Sequence, residues 1–402
     1  MYHVRPDLVL HTHMQLLLNA DLFAPEPLGV AHLLIGGGKV LWQGTCSETP
    51  PSDWRVETID LQGKRLMPGL IDGHAHLTGG GGESGFSSRV PPVPLSHFTS
   101  AGVTSVVGLL GTDAETRSMR SLVAQARGLR EEGMSAWCYC GGYHLPAATV
   151  TGSIRSDIVH IDPIIGVGEL AISDHRSSQP TLDEFLRVAS EAHVAGMISG
   201  KAGIVHLHLG DGERGLDLVR RALDISELPA RTFNPTHINR RRALFAEALE
   251  IAERGVPVDI TAFPVEEGED AWTAEDALER YLDAQLPAHG ITVSSDGGGC
   301  LPHFDEDGRI DRFGIGRPQA LADTLAALLS RGRALEQILP AFTTNVAQLL
   351  RLPHKGRIQV GDDADLITLD EQNRVADVML GGVWHRRDLK QCKLGLFETE
   401  EK

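Results

Sequence analysis

An α/β fold is expected from this sequence: a TIM (β/α)8 barrel with a small β-sandwich domain built from the N- and C-terminal segments. Three observations lead there. Between residues 66 and 297, short β-branched runs alternate with amphipathic helical stretches, the pattern of parallel strands joined by helical crossovers. The flanks, 13–65 and 356–386, hold short strand-like runs separated by Gly and Asp turns. The interval between them has room for eight βα units, which occupy about 250 residues.

Eight runs read as barrel strands: Leu66 to His76, Gly102 to Leu110, Ser135 to Gly141, Ile164 to Ile172, Gly203 to Leu209, Phe233 to His237, Pro257 to Ala262 and Ile291 to Asp296. Apolar residues recurring every three or four positions predict helices over 115–132, 181–195, 214–225, 240–254, 274–285, 319–331 and 334–350. The division that follows is 1–65 and 352–402 for the small domain and 66–351 for the barrel.

Composition narrows the function classes. A formal net charge of -17 over 402 residues opposes a phosphate-binding surface, which needs clustered Lys and Arg, so no nucleic-acid partner is expected. A small molecule is the expected partner, and an acidic one would need local arginines to reverse the field. The five cysteines, Cys46, Cys138, Cys140, Cys300 and Cys392, are odd in number and scattered, unlike a disulfide framework. The first twenty residues include His3, His11 and His13 and lack a basic start or a cleavage signal. No run is long and apolar enough to span a membrane. A cytoplasmic location and no membrane partner are expected.

Chemistry concentrates at the predicted strand ends. In PGLIDGHAHL, His74 and His76 are two apart at the end of the first strand, so both leave one face. His208 ends the fifth strand in VHLHLGD, His237 the sixth in NPTHIN, and Asp296 the eighth in VSSDGGG. The C-terminal strand ends form the active face of a TIM barrel, and imidazole and carboxylate are suitable metal ligands. His11-Thr12-His13 has the same spacing without the strand and loop context and is not read as a ligand pair.

The connecting stretches PGLIDGHAHLTGGGGESG, AGVTSVVGLLGTD, GGYHLP, AISDHRS, HLGD, PTHINR, SSDGGG and GDDADL resemble the amidohydrolase superfamily, and within it the isoaspartyl dipeptidases, which cleave β-aspartyl dipeptides at a two-metal centre. The resemblance implies His74 and His76 on one metal, His208 and His237 on the other, and Asp296 as a further ligand and general base. Two zinc ions per chain are implied, although the same ligands suit other divalent metals. A homo-oligomer, as large as an octamer, is implied as well.

The resemblance also supplies substrate contacts. Glu83 would receive the substrate ammonium, Tyr143 would act on the developing oxyanion, Arg176 and Arg240 would take substrate carboxylates, and Thr112 would be a further contact. The arginines are those the charge argument required, and their pairing with carboxylates is directional. Two positions depart from the dipeptidase pattern: Glu169, in GVGELAIS, stands where a carboxylated lysine bridges the metals, with an extra glycine nearby, and Cys300 stands in place of a serine at the substrate carboxylate. Glu169 is expected to coordinate metal directly. Its shorter side chain would require the strand backbone to approach the barrel axis, helped by irregularity around Gly166 to Gly168.

Other residues read as bystanders or supports. His206 is read as a hydrogen-bonded barrel histidine, His144 and His175 as partners behind site residues, and Cys138 and Cys140 as packing. The expected substrate is a small acidic dipeptide or related amide. Two alternatives stay open: another amidohydrolase acting on cyclic amides or N-acyl amino acids, and a non-catalytic barrel scaffold.

Overall fold

The computed structural model describes residues 14–45, 47–48, 56–304 and 310–399. His3, His11, His13 and Cys46 lie outside the described residues.

The terminal segments build one nine-stranded sheet. Gln15–Phe23 pairs antiparallel with Pro27–Gly36, which pairs with Lys39–Thr45. The other edge of Gln15–Phe23 takes two strands in succession: its first residues run parallel to Glu57–Asp60, then Asp21 and Leu22 pair with Arg65 and Leu66. Arg65–Pro68 continues the sheet to Leu366–Leu369, Val375–Leu380, Val383–Arg387 and Lys390–Gln391. The terminal segments expected to form a small β-sandwich thus share one hydrogen-bonded sheet. Its continuity rests on Gln15–Phe23, whose pairing shifts register between Leu17 and Ala20 and whose second edge serves two short partners. Leu17, Leu22, Leu33, Ile35, Leu366 and Met379 form its own buried cluster.

The run expected as one strand from Leu66 to His76 is two. Arg65–Pro68 belongs to the terminal sheet, and Leu70–Ala75 is the first barrel strand. Gly69 is the joint, packed so closely that a Cβ would lie 2.2 Å from the Thr104 side chain. The next five strands, Val103–Gly108, Ser135–Cys140, Ile164–Ser173, Val205–Leu209 and Phe233–Thr236, pair in parallel in chain order. Val258–Thr261 and Ile291–Ser294 form a second parallel pair. Side chains link the two groups, Thr236 Oγ1 donating to Asp259 at 2.7 Å and Asn234 Nδ2 to Pro257 O at 3.1 Å. On the far side Ala75 bridges to Gly297, and the His76 N–H donates to Gly297 O at 2.7 Å. The arrangement is a curled, TIM-like set of parallel strands beside a β domain.

The helices follow the expected periodicities, with ends set by caps. Leu182–Ser199 begins at a Thr181/Glu184 capping box and ends at Gly200 with φ 72. The helix expected over 334–350 is instead Leu335–Ile338, a 3-10 turn over Leu339–Phe342, and Thr344–Leu349. Pro340 lacks the N–H that a continuous helix needs. Three features had no clear sequence signal: the short helices Leu95–Ser100 and Ile154–His160, and the hairpin Cys300–Phe304/Ile310–Ile315 beyond the eighth strand. Strand and helix faces meet in one large apolar core, where Phe185 and Phe233 stack at 5.3 Å. Each such buried ring contributes roughly 1.5–3 kcal/mol. Among the described residues no helix is long and apolar enough to cross a membrane.

Candidate active site

Four strand ends and one strand interior deliver six buried side chains to a common point. His74 Nε2 lies 3.4 Å from Asp296 Oδ1 and 3.7 Å from Glu169 Oε2. His76 Nε2 lies 3.1 Å from Asp296 Oδ1 and 3.5 Å from Glu169 Oε1. From the opposite side, His208 Nδ1 and His237 Nε2 approach Glu169 Oε2 at 3.0 and 3.4 Å. His74, His76 and Glu169, and likewise Glu169, His208 and His237, each hold three possible ligand atoms within 4.8 Å of one another, with Glu169 common to both groups. His237 (φ 59) and Asp296 (φ 52) both adopt left-handed backbone. For non-glycine residues that costs on the order of 1–3 kcal/mol, a strain that clusters at functional sites.

Hydrogen bonds behind the cluster decide which ring atom faces inward. His74 Nδ1 is 2.9 Å from His206 Nε2, and His237 Nδ1 is 2.7 Å from Thr261 Oγ1, leaving the Nε2 atoms of both free for the centre. His208 is turned the other way, with Nε2 at 3.0 Å from Asp174 Oδ2 and Nδ1 toward Glu169. Asp72 accepts from the backbone N–H groups of His74 and Ser295 at 3.2 and 3.1 Å, tying the first and eighth strand ends together.

Charge in this cluster is unbalanced. Burial alone would raise the Glu169 carboxyl, but facing His74 and His208 outweighs it and holds Glu169 well below the usual carboxylate range. Asp296 is likewise held low against its burial by His74 and His76. Burial disfavours a charged His74, yet Glu169 and Asp296 overcome it and raise that imidazole to about 9. Burial pushes His206, behind it, down to about 3, which keeps its ring neutral. His74 Nε2 and Asp296 Oδ1 are also buried atoms without a hydrogen-bond partner. Two ionised carboxylates and four inward imidazoles suit divalent cations, zinc among them, so the donor set fits a metal centre.

Glu169 reaches the centre because the fourth strand bulges there. Val205 pairs with Val167, but Leu207 pairs with Leu170, so Ile164–Ser173 carries one residue more than its neighbour across this step. Gly168 makes the bulge possible, since a Cβ there would lie 2.8 Å from His206 Cβ. The bulge lies at the stretch, Gly166 to Gly168, where the sequence suggested strand irregularity.

Above the cluster opens a pocket of about 830 Å³ lined by Glu83, Thr112, Tyr143, Arg176, Arg240 and Cys300, with Phe263, Leu301 and Phe313 as apolar wall. The Tyr143 hydroxyl sits 2.9 Å from His208 Nδ1, and its ring lies under the Arg176 guanidinium at 5.4 Å. Arg176 also donates to Glu83 Oε1 at 3.1 Å. Arg240 makes no side-chain hydrogen bond or ion pair among the described residues. The Cys300 thiol is half-buried, and burial first, then Glu83 and Asp296, push it up to about 11, so it is uncharged at neutral pH.

All the candidate site residues thus converge on one pocket and its floor. Sequence reasoning missed Asp174, which binds both Arg176 and His208, although it lies in the quoted AISDHRS stretch. It also missed Arg117, a buried side chain donating to the carbonyls of Thr78, Gly80 and Val90 and so staking the loop that carries Glu83. His144 supports the site as expected, with Nε2 2.9 Å from Arg176 O, while His175 turns to Asp211 at 2.5 Å.

Comparison with known proteins places this geometry. The sequence model of the amidohydrolase family matches residues 65–385. A β-aspartyl dipeptidase from Fervidobacterium islandicum AW-1, solved in complex with a β-Asp-Leu dipeptide, is 42% identical, with a TM-score of 0.88 over 95% of this chain and 100% of that one. An imidazolonepropionase from Pseudomonas paraeruginosa is 35% identical over 152 residues, so the match spans only 36% of each protein. A deacetylase from Agrobacterium fabrum is 26% identical over 84% of this chain and 78% of its own length. A dihydropyrimidinase from Brevibacillus agri, at 18% identity and a TM-score of 0.68, shares the fold.

Proposed function

The chain belongs to the amidohydrolase family, and we propose that it is a metal-dependent hydrolase cleaving the isopeptide bond of small β-aspartyl dipeptides. The carrying observation is that Arg176, Arg240 and Glu83 stand together in a cavity directly above the histidine and carboxylate cluster, among further charged lining residues that include Arg241, Asp211, Glu266, Glu269 and Asp270. A β-aspartyl dipeptide carries the complementary set, two carboxylates and one ammonium. The likeness to a β-aspartyl dipeptidase at 42% identity supports the same reading.

In this reading His74, His76 and Asp296 would hold one divalent ion, zinc expected, and His208 and His237 a second, and Glu169, which faces both histidine pairs, would be a further ligand. Such ions supply Lewis acidity and a water acidified toward a pKa of about 7. Asp296 takes the proton of the attacking water and passes it to the departing amine. Tyr143 donates its hydroxyl hydrogen to the oxygen on which negative charge develops. Glu83 receives the ammonium, Arg176 and Arg240 receive carboxylates, and Thr112 and Cys300 complete the wall.

A second reading, hydrolysis of N-acyl amino acids or cyclic amides with the same metal ligands, draws on the likeness to a deacetylase over most of the chain and on Cys300 in the pocket. Hydrolysis rates for β-aspartyl dipeptides, N-acyl amino acids and hydantoins, before and after chelation, separate the two. Chelator-sensitive turnover highest on the β-aspartyl compounds is expected, and Asp296→Asn should abolish it in a folded protein. Turnover confined to the other classes would overturn the substrate, and absence of any metal uptake would favour a non-catalytic scaffold.

A further inference from the structure

We infer that Asn234 and His206 are positioning residues that fix the tautomer of His74, so that its Nε2 presents a lone pair to a cation. This rests on the reading of His74 as a metal ligand and deepens it.

Hydrogen-bond polarity is fixed along one chain of atoms. Pro257 O is a backbone carbonyl and can only accept, so the Asn234 group 3.1 Å away is its NH2, and its carbonyl Oδ1 is the atom turned to His206. Asn234 Oδ1 lies 2.7 Å from His206 Nδ1 and can only accept, so His206 Nδ1 carries the hydrogen. A neutral imidazole has one donor and one acceptor, so His206 Nε2 accepts. His74 Nδ1, 2.9 Å from it, must then donate. With Nδ1 protonated, the Nε2 of a neutral His74 keeps its lone pair, and that atom faces Asp296 and Glu169 with no hydrogen-bond partner.

The relay is built rigidly. His206 and Asn234 are each 2% exposed, and Tyr139 stacks on the His206 ring at 5.2 Å with planes 15° apart. Gly168, in the bulge that delivers Glu169, leaves no room for a side chain against His206. One ring therefore backs His74 while its backbone borders the Glu169 bulge. If Asn234 no longer accepted, His206 could place its hydrogen on Nε2, His74 Nδ1 would become the acceptor, and the hydrogen of neutral His74 would move to the ligand atom.

The test measures zinc retention, with release to a chelator followed in the purified full chain. Asn234→Leu should speed release about 10–100-fold, the usual effect of losing a partner behind a metal-bound histidine. Asn234→Asp, which keeps an acceptor toward His206, should restore most of the retention. Should Asn234→Leu not fold, the comparison moves to His206→Gln, whose carbonyl can still accept from His74, against His206→Asn, which is too short. The Gln variant is expected to retain zinc and the Asn variant to lose it. Nitrogen-15 shifts of the His74 ring should show Nδ1 protonated in the wild type. Wild-type retention in folded Asn234→Leu, equal loss in the Leu and Asp variants, or equal retention in the Gln and Asn variants overturns the relay. Failure of the wild-type chain to take up zinc instead overturns the metal reading on which it rests.

Discussion

Asp174 grips Arg176 with both carboxylate oxygens, Nε donating at 2.9 Å and an NH2 nitrogen at 2.7 Å, while the same Oδ2 lies 3.0 Å from His208 Nε2. One buried carboxylate thus orients a pocket-lining arginine and a candidate metal ligand together. Arg176→Met should raise KM for β-aspartyl dipeptides about 10–100-fold, the worth of a charge-assisted contact of roughly 1.5–3 kcal/mol, and leave zinc retention unchanged. Asp174→Asn should disturb both. If Asp174→Asn changes KM alone, its contact with His208 is incidental.

Arg240 enters the pocket with no side-chain partner among the described residues. Arg240→Met should therefore raise KM for acidic dipeptides by a similar factor of about 10–100, far more than for any neutral amide the enzyme accepts. Melting temperature should hardly move. Equal losses on both substrate types would make Arg240 structural.

Glu169 shares its two oxygens between the His76 side and the His208 and His237 side. Metal content near two per chain is expected, falling to one or none in Glu169→Gln with a parallel loss of kcat. A fully active enzyme with a single tightly held ion would exclude the bridge.

Cys300 stands on the pocket wall as an uncharged thiol, a poorer hydrogen-bond donor than a hydroxyl. Cys300→Ser should improve kcat/KM on β-aspartyl dipeptides. An unchanged profile across the substrate panel would mean this position does not set specificity.

His385 gives a pH prediction remote from the site. Its ring is fully buried in the terminal sheet with neither nitrogen hydrogen-bonded. Burial, then nearby Lys393, pushes it down to about 3. The unfolded chain takes up a proton on this residue below about 6.5 while the folded chain does not, so stability is complete above that pH and declines as pH falls toward 3. At pH 5 the loss is about 2 kcal/mol. Melting temperature should drop between pH 7 and 5, and the drop should be smaller in His385→Leu. Parallel pH profiles for the two proteins would remove His385 from the acid response.

Much of the fold was legible because periodicity is local. The βα alternation, the strand ends bearing His74, His76, His208, His237 and Asp296, and the irregularity near Gly168 are each written within a few residues. Where local signals compete, the run is harder to divide: Leu66 to His76 carries a break signal at Pro68-Gly69, and its long-range partners, Leu366–Leu369 on one side of Gly69 and Val103–Gly108 on the other, show that the break separates two sheets. The joining of both termini into one sheet was not legible for the same reason, since strand pairing across the whole chain length is not encoded in any single run.

Residue type and local pattern fix which donors are available: four histidines, Glu169 and Asp296 on five of the eight expected strands, and arginines in an otherwise acidic chain. What each atom does depends on the partners that folding brings to it. His206 and His208 share a strand face by the same alternation, yet one faces Asn234 and backs His74, and the other faces Glu169. Residue type gives a ring two nitrogens. Which of them bears the hydrogen is settled by partners 28 and 132 residues away for His206, because hydrogen-bond polarity is a property of neighbours in space and not of neighbours in sequence.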